Sequence, residues 1–261
     1  MQATAVKPLS GVRILITRPR DQAQTLAEKL RILGATTVEL PVIEIMPTED
    51  MGPLDNAIRR LSRYDWVIFT SVQGVRHFVD RMLELKIPFE TLGGPRIAAI
   101  GPATAAALTR AGKEPYYVPQ EFLSERIVDG LGLLRSKRIL LARADIASKK
   151  LPMILREREA EVDDVVAYRT VLPRDLTREH LQSALEQVDL VTFTSPSTVQ
   201  NLAQVLGDEA LRDNMRSVKV ACIGPVTVKA VKELGLNVDV VARTHTVDGL
   251  VEAIVNEIRS L

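Results

Sequence analysis

The chain has 261 residues, room for two domains, because single hydrophobic cores stop growing at roughly 250 to 300 residues and most are smaller. Hydrophobic residues make up 46%, charged residues 26% and aromatics 4%, with 34 Lys and Arg against 33 Asp and Glu; this excludes a basic nucleic-acid footprint, and no apolar run reaches the roughly 20 residues of a membrane span. Met1 to Ser10 lack the order of a secretory signal, and the single cysteine, Cys222, can make neither an internal disulfide nor a zinc cluster, so a soluble protein of the reducing cytoplasm is expected, without nucleic-acid or membrane partners.

In chain order, Ile14 to Thr17 reads as a strand and Gln22 to Leu33 as a helix closed by Gly34. Leu40-Pro-Val-Ile-Glu-Ile45 follows, extended in character and outside the strand-helix rhythm. Asp65-Trp-Val-Ile-Phe-Thr-Ser71 is a second strand and corner. Ile97 to Ile100 is a third, leading through Gly101-Pro102 into a helix over Thr104 to Arg110 that stops at Gly112. The chain then repeats itself. Val12-Arg-Ile-Leu-Ile-Thr-Arg18 matches Lys137-Arg-Ile-Leu-Leu-Ala-Arg143, and Asp65 to Ser71 matches Asp189-Leu-Val-Thr-Phe-Thr-Ser195. Arg96-Ile-Ala-Ala-Ile-Gly-Pro102 matches Lys219-Val-Ala-Cys-Ile-Gly-Pro225, and Ser124 to Leu131 echoes Thr246-Val-Asp-Gly-Leu250, at an offset of about 125 residues. Val165-Val-Ala-Tyr-Arg-Thr170 is the counterpart of the first irregular segment.

Apolar strands alternating with helices imply an α/β protein of doubly wound parallel sheets, internally duplicated, with ligands bound beyond the carboxyl ends of the strands. If the two irregular segments connect domains, each domain mixes elements of both repeats: residues 1–39 and 173–261 in one, 46–165 in the other, with 40–45 and 166–172 as connector strands. Periodicity alone does not separate that exchange from two consecutive domains.

The corners Thr17-Arg18-Pro19-Arg20, Thr70-Ser71, Gly101 to Thr104, Arg143-Ala-Asp145, Thr194 to Ser197 and Gly224 to Thr227 place helix N-termini side by side. Their unpaired N–H groups suit an anionic ligand, although Ser, Thr and Asp there are also ordinary helix caps. There is no G-x-G-x-x-G after a strand, no P-loop and no H-E-x-x-H, so neither a nucleotide cofactor nor a metal is expected. His77, His180 and His245 lack metal-ligand spacing and read as surface residues, and Cys222, inside an apolar strand, as a packing residue. The repeats differ at one telling position, where Tyr168 stands opposite Ile43. Tyr168 is either a ring packed on a connector with its hydroxyl in water or a phenolic proton donor, protonated at neutral pH with an ordinary pKa of about 10.

Taken together, Ile16-Thr-Arg-Pro19, Phe69-Thr-Ser71 with Gly74-Val75, Ile100-Gly-Pro-Ala-Thr104, Tyr168-Arg-Thr170, Phe193-Thr-Ser-Pro-Ser197 and Ile223-Gly-Pro-Val-Thr227 resemble the uroporphyrinogen-III synthase family. The resemblance covers nearly the whole chain. It implies two α/β domains in the exchanged arrangement, joined by a two-stranded connector with the active site in the cleft between them. It further implies a monomeric, cofactor-independent enzyme. The implied substrate is hydroxymethylbilane, a linear tetrapyrrole with eight carboxylates, and the product uroporphyrinogen III, formed by loss of water and inversion of the last pyrrole ring. Tyr168 falls at the family's tyrosine and Arg18, Ser71, Thr104, Ser195, Ser197, Lys219 and Thr227 at substrate-binding positions. Lys219, with Arg96 as its counterpart, leads its strand and reads as a solvated strand edge ahead of a ligand contact. Val226 departs from the family's Gly-Pro-Thr-Thr continuation, leaving only its backbone N–H for binding. The competing classes are a non-catalytic binder of a polyanion, for which no sensor or DNA-binding segment is visible, and a two-domain glycosyltransferase, for which no nucleotide-sugar signature is evident.

Overall fold

The computed structural model describes residues 7–121 and 126–259, so Ser124 and Glu125, part of the fourth repeat match, lie outside the described residues. Contacts divide the chain into two compact units, one formed by residues up to Glu44 together with those from Val171 onward, the other by Ile45–Thr170.

The chain opens with β1 (Arg13–Ile16), α1 (Arg20–Ile32) and β2 (Thr36–Glu39). It continues through β3 (Glu44–Pro47), α2 (Gly52–Arg59), β4 (Trp66–Phe69), α3 (Val72–Glu84), β5 (Arg96–Ala99) and α4 (Pro102–Arg110). Then come β6 (Arg138–Ala144), α5 (Lys150–Glu157), β7 (Glu161–Val171), α6 (Arg178–Glu186), β8 (Leu190–Phe193), α7 (Pro196–Leu206) and α8 (Asp208–Asn214). The last elements are β9 (Lys219–Cys222), α9 (Pro225–Glu233), β10 (Val240–Val241) and α10 (Val247–Arg259). Among the described residues, no helix is long and apolar enough to cross a membrane.

In the first unit the strands lie in the order β10-β9-β8-β1-β2, and neighbouring strands run parallel. Strands buried on both faces need continuous apolar runs rather than alternation, and Ile14, Leu15 and Ile16 of β1 are all fully buried. Ile14, Ile16, Leu190 and Ala221 face a cluster that includes Ala23, Leu26, Ala27 and Leu30 of α1 and Leu250 and Ile254 of α10. The spacing of the four α1 residues places them on one helical stripe. That helix ends in a hydrogen-bonded reversal in which Gly34 N–H donates to Arg31 C=O at 3.0 Å and Ala35 N–H to Leu30 C=O at 3.1 Å. Gly34 sits at φ +101°, and a Cβ there would meet Lys7 Cβ at 2.8 Å, so both backbone and space require glycine.

The second unit holds a sheet in the order β3-β7-β6-β4-β5, in which β4–β5, β4–β6 and β6–β7 are parallel. On one face, Val67, Phe69, Ile97, Ala99, Leu140 and Ala142 pack against residues of α2, α3 and α4. The alternate residues Trp66, Ile68, Ala98, Ile139 and Leu141 pack on the other face against Leu151 and Leu155 of α5. The molecule is thus an α/β protein with two predominantly parallel sheets.

The irregular segments differ in detail from expectation. The first joins the second sheet only from Glu44, as β3. Pro41 has no N–H for a ladder, and the flanking residues bind elsewhere: Leu40 N–H to Ile16 C=O at 3.1 Å, Val42 N–H to Thr17 C=O at 3.2 Å, and Asn201 Nδ2 to Val42 C=O at 2.7 Å. The stretch Val165 to Thr170 is no separate strand but the second half of β7, paired with β6.

Candidate active site

Because the strands of each sheet run parallel, the turns after them gather at one edge, and the sequence corners are those turns. In the second unit, Ser71 is the N-cap of α3, its Oγ accepting from Gly74 N–H at 3.0 Å. Gly74 lets α3 approach β6, since a Cβ there would stand 2.8 Å from the Ala142 carbonyl oxygen. Thr104, in the first turn of α4 after β5, is buried.

Tyr168 projects from β7 onto the same face of the sheet. It is 6% exposed, and its hydroxyl lies 3.0 Å from Ser71 Oγ. The reading in which the hydroxyl sits in bulk water is therefore corrected: it has a specific partner at a helix start. His77, in the second turn of α3, stacks on the phenol ring with centroids 5.4 Å apart and planes 18° apart. It is half-buried. The expectation of a surface histidine fails there, because a histidine three residues after Gly74 shares the helix stripe pressed onto the sheet.

Burial is the main influence raising the Tyr168 pKa; the hydrogen bond with Ser71 works against it and the negative charge of Asp145 adds to it, so the phenol is held above its ordinary value. It is a neutral donor at physiological pH. Asp145, at the corner after β6, donates its backbone N–H to the Tyr168 carbonyl at 3.1 Å and accepts Thr170 N–H on Oδ1 at 2.9 Å.

Arg143, expected at the corner, instead lies inside β6, 4% exposed. It makes a fork to Asp164 of β7, Nε to Oδ1 at 2.6 Å and Nη2 to Oδ2 at 2.8 Å, and reaches Ser148 C=O at 2.7 Å. Burial pushes the Asp164 carboxyl up, but hydrogen bonding and charge from Arg143, with Lys149 beyond, outweigh it and hold the group below the usual range.

In the first unit, Arg18 follows β1 and gives an Nη2 hydrogen bond to Gln22 Oε1 at 2.9 Å. Ser195 is the N-cap of α7, its Oγ 2.9 Å from Ser197 Oγ, and Thr227 is buried in the first turn of α9. Gly224, the N-cap of α9, lies under the exposed His245, whose Cδ2 would be 3.1 Å from a Cβ at that glycine. Repetition could not reveal His245, which belongs to no matched corner.

Lys219 opens β9, as its strand-leading place in the sequence implies, so it stands at the amino edge of the sheet, a strand length from the corner at Gly224, with Nζ 2.9 Å from Glu257 Oε1 of α10. Its parallel strand direction places it away from Arg18, Ser195, Ser197 and Thr227. Cys222 is fully buried in β9 and its thiol is pushed up to about 12 by burial, which makes it inert as a nucleophile. Among the described residues, no group of three or more His, Cys, Asp and Glu is arranged to hold a metal ion.

Ile43, the repeat counterpart of Tyr168, is 4% exposed and belongs to the first unit. The two positions aligned in the sequence thus hold a buried apolar side chain in one unit and a hydrogen-bonded phenol in the other.

Comparison with known proteins identifies the family. The family model described as uroporphyrinogen-III synthase HemD matches residues 24–252. The uroporphyrinogen-III synthase of Synechococcus elongatus is 32% identical over 257 residues, covering 96% of this chain and 97% of that protein. The porphyrin biosynthesis protein HemD of Ruminiclostridium josui is also 32% identical, but this chain spans only 48% of its length. In fold, the crystal structure of a mutant uroporphyrinogen III synthase from the extremely thermophilic bacterium Thermus thermophilus superposes with a TM-score of 0.72 at 24% identity, over 96% of this chain and 100% of that one. With the family model spanning both units and a relative matched almost end to end, the chain belongs to the uroporphyrinogen-III synthase family.

Proposed function

We propose that the protein is a uroporphyrinogen-III synthase, cyclising hydroxymethylbilane to uroporphyrinogen III with inversion of the last pyrrole ring and loss of water. The observation that carries the mechanism is the Tyr168 phenol, kept protonated by burial and held at 3.0 Å by Ser71. Ser71 Oγ accepts from Gly74 N–H through one lone pair; with its own O–H turned to the phenolic oxygen, the Tyr168 proton is left for the departing hydroxyl. Hydroxide is the conjugate base of water, with a pKa of about 15.7, far more basic than a phenolate, so proton transfer runs downhill as the C–O bond breaks. General acid assistance of this kind is typically worth about 10² to 10⁴ in rate. Ser71 then donates to the developing phenolate, in keeping with its lowering effect on the Tyr168 pKa. The electron pair of the broken bond leaves with oxygen as water, the pyrrole that carried the hydroxymethyl group becomes the electrophile, and the last pyrrole, the ring that is inverted, supplies the electron pair of the new C–C bond.

The substrate's carboxylates are assigned to the helix starts: Arg18, Ser195, Ser197 and Thr227 in one unit, Ser71 and Thr104 in the other. Backbone N–H groups there bind anions without an excess of Lys and Arg, which fits a chain of formal net charge +1. The architecture follows the same reading: we infer a duplication in which the first strands of each half were exchanged. Supporting this, β9-β8-β1-β2 in one sheet and β5-β4-β6-β7 in the other are equivalent orders under the repeat alignment. The chain crosses between units near residues 44 and 171, within the proposed connectors 40–45 and 166–172.

The test is isomer analysis of product from freshly prepared hydroxymethylbilane. The III isomer is expected; formation of only the I isomer, which closes spontaneously, overturns the assignment.

A further inference from the structure

β6 and β7 pair residue for residue from Arg138 opposite Glu161 to Arg143 opposite Val166, and then the register shifts, so that Ala144 stands opposite Tyr168 and Ala167 is passed over. Up to the shift, β7 alternates normally: Val165 belongs to the cluster with α3, while Val162 packs on the opposite face with α5. Strict alternation would send Tyr168 to the face of Val162. Instead Val165, Ala167 and Tyr168 all join the cluster containing Val75 and Phe78 of α3. An extra residue in one strand re-aims the side chains that follow it. Here it delivers the phenol to Ser71 and His77.

Just past the shift, Asp145 holds β7 at two points immediately after the tyrosine side chain, its N–H on the Tyr168 carbonyl and its Oδ1 on Thr170 N–H, flanking Arg169. We infer that Asp145 is a positioning residue whose backbone and carboxylate clamp β7 in the shifted register and thereby aim the Tyr168 hydroxyl at the reacting group. This rests on Tyr168 acting as the acid. The carboxylate works chiefly as a short acceptor arm. Any acceptor of the same length preserves the clamp, and a longer arm breaks it even when the charge is kept.

Asp145→Asn and Asp145→Glu separate these properties. Asn keeps the carbonyl acceptor and loses the charge, while Glu keeps the charge and moves the acceptor outward by one methylene. Misplacement of about 1 Å can cost roughly 10²-fold in turnover, so D145E is expected to lose at least about tenfold in kcat with KM within about threefold, and D145N to stay within about threefold of the parent. Amide hydrogen exchange, which needs no substrate, should show Thr170 protected in D145N and exchanging at least about tenfold faster in D145E. Equal impairment of both variants, or the reverse ranking, overturns the clamp. If D145E fails to fold, Asp145→Ser, which shortens the arm, takes its place with the same expected loss. Parent enzyme and Tyr168→Phe are assayed alongside. A parent that forms only the I isomer overturns the enzyme assignment, and a Y168F protein turning over normally overturns the acid role. Thr170 protection decides the clamp in either case.

Discussion

A phenol, a serine hydroxyl and an imidazole meet in the second unit, and each arrives by a different local rule. Ser71 is there because a helix start needs a cap, His77 because it shares a stripe with Gly74, and Tyr168 because its strand shifts register. Replacing Tyr168 by Phe removes only the hydroxyl and leaves the ring stacked on His77 and buried in its cluster. Turnover should fall at least about tenfold while the denaturation midpoint changes little, since general acid assistance is worth about 10² to 10⁴. The rate of III-isomer formation and a urea melt check both parts; unchanged turnover removes Tyr168 from the mechanism. Of the site residues expected from sequence, the structure brings Ser71 to Tyr168 and sets Lys219 apart. The strand-edge reading of Lys219 is the one its place at the start of β9 fits. His77 carries a faint signal in its helical spacing from Gly74.

At the scale of elements, one contact seats α3 on β6 and another fastens β6 to β7, the strand bearing the tyrosine. Gly74→Ala would drive a Cβ to within 2.8 Å of the Ala142 carbonyl, a backbone atom that cannot swing away. Overpacking of this kind typically costs about 1 to 3 kcal/mol, and the helix carrying Ser71 must shift, so both stability and turnover are expected to drop, as measured by urea midpoint and initial rate. The Arg143–Asp164 pair fastens β6 to β7 with side chains only 4% and 15% exposed. Removing one partner of such a pair costs about 3 to 5 kcal/mol, so D164N should be markedly less stable at neutral pH. The sign with pH is set by the lowered Asp164 pKa. Its stabilisation is fully present above the unfolded value of about 3.9 and disappears as pH falls through the depressed folded value. The stability gap between parent and D164N, from urea midpoints at neutral and acidic pH, should therefore narrow in acid; a constant gap refutes the role given to the ionised pair.

For the whole molecule, the two units are built from unequal stretches of chain. The second sheet, β3-β7-β6-β4-β5, comes from one continuous segment, whereas the first needs β1 and β2 from the N-terminal segment alongside β8, β9 and β10. A fragment of residues 45–171 is expected to fold cooperatively alone, with a single urea transition and dispersed amide resonances. A fragment of residues 45–261 lacks β1, the strand between β8 and β2, and should show protected amides only as far as Val171. Protection throughout the longer fragment would contradict this.

The strand-corner-helix units are legible in the amino-acid order, because the periods of 2 and 3.6, helix caps and glycine stops are local and written in adjacent residues. Tyr168 is legible too, since a broken repeat is visible without coordinates, and the ordered corners are specific enough to identify the family. Which strands share a sheet emerges only in three dimensions. Thr192 Oγ1 bonds to Leu15 C=O across 177 positions, and lateral pairing uses backbone groups that nearly every residue carries, so periodicity encodes which way a side chain faces but not which strand lies beside it. For the same reason the passing over of Ala167 leaves no mark in the sequence: a register shift is a relation between two strands, and only their pairing shows that it turns a tyrosine toward the serine at the next corner.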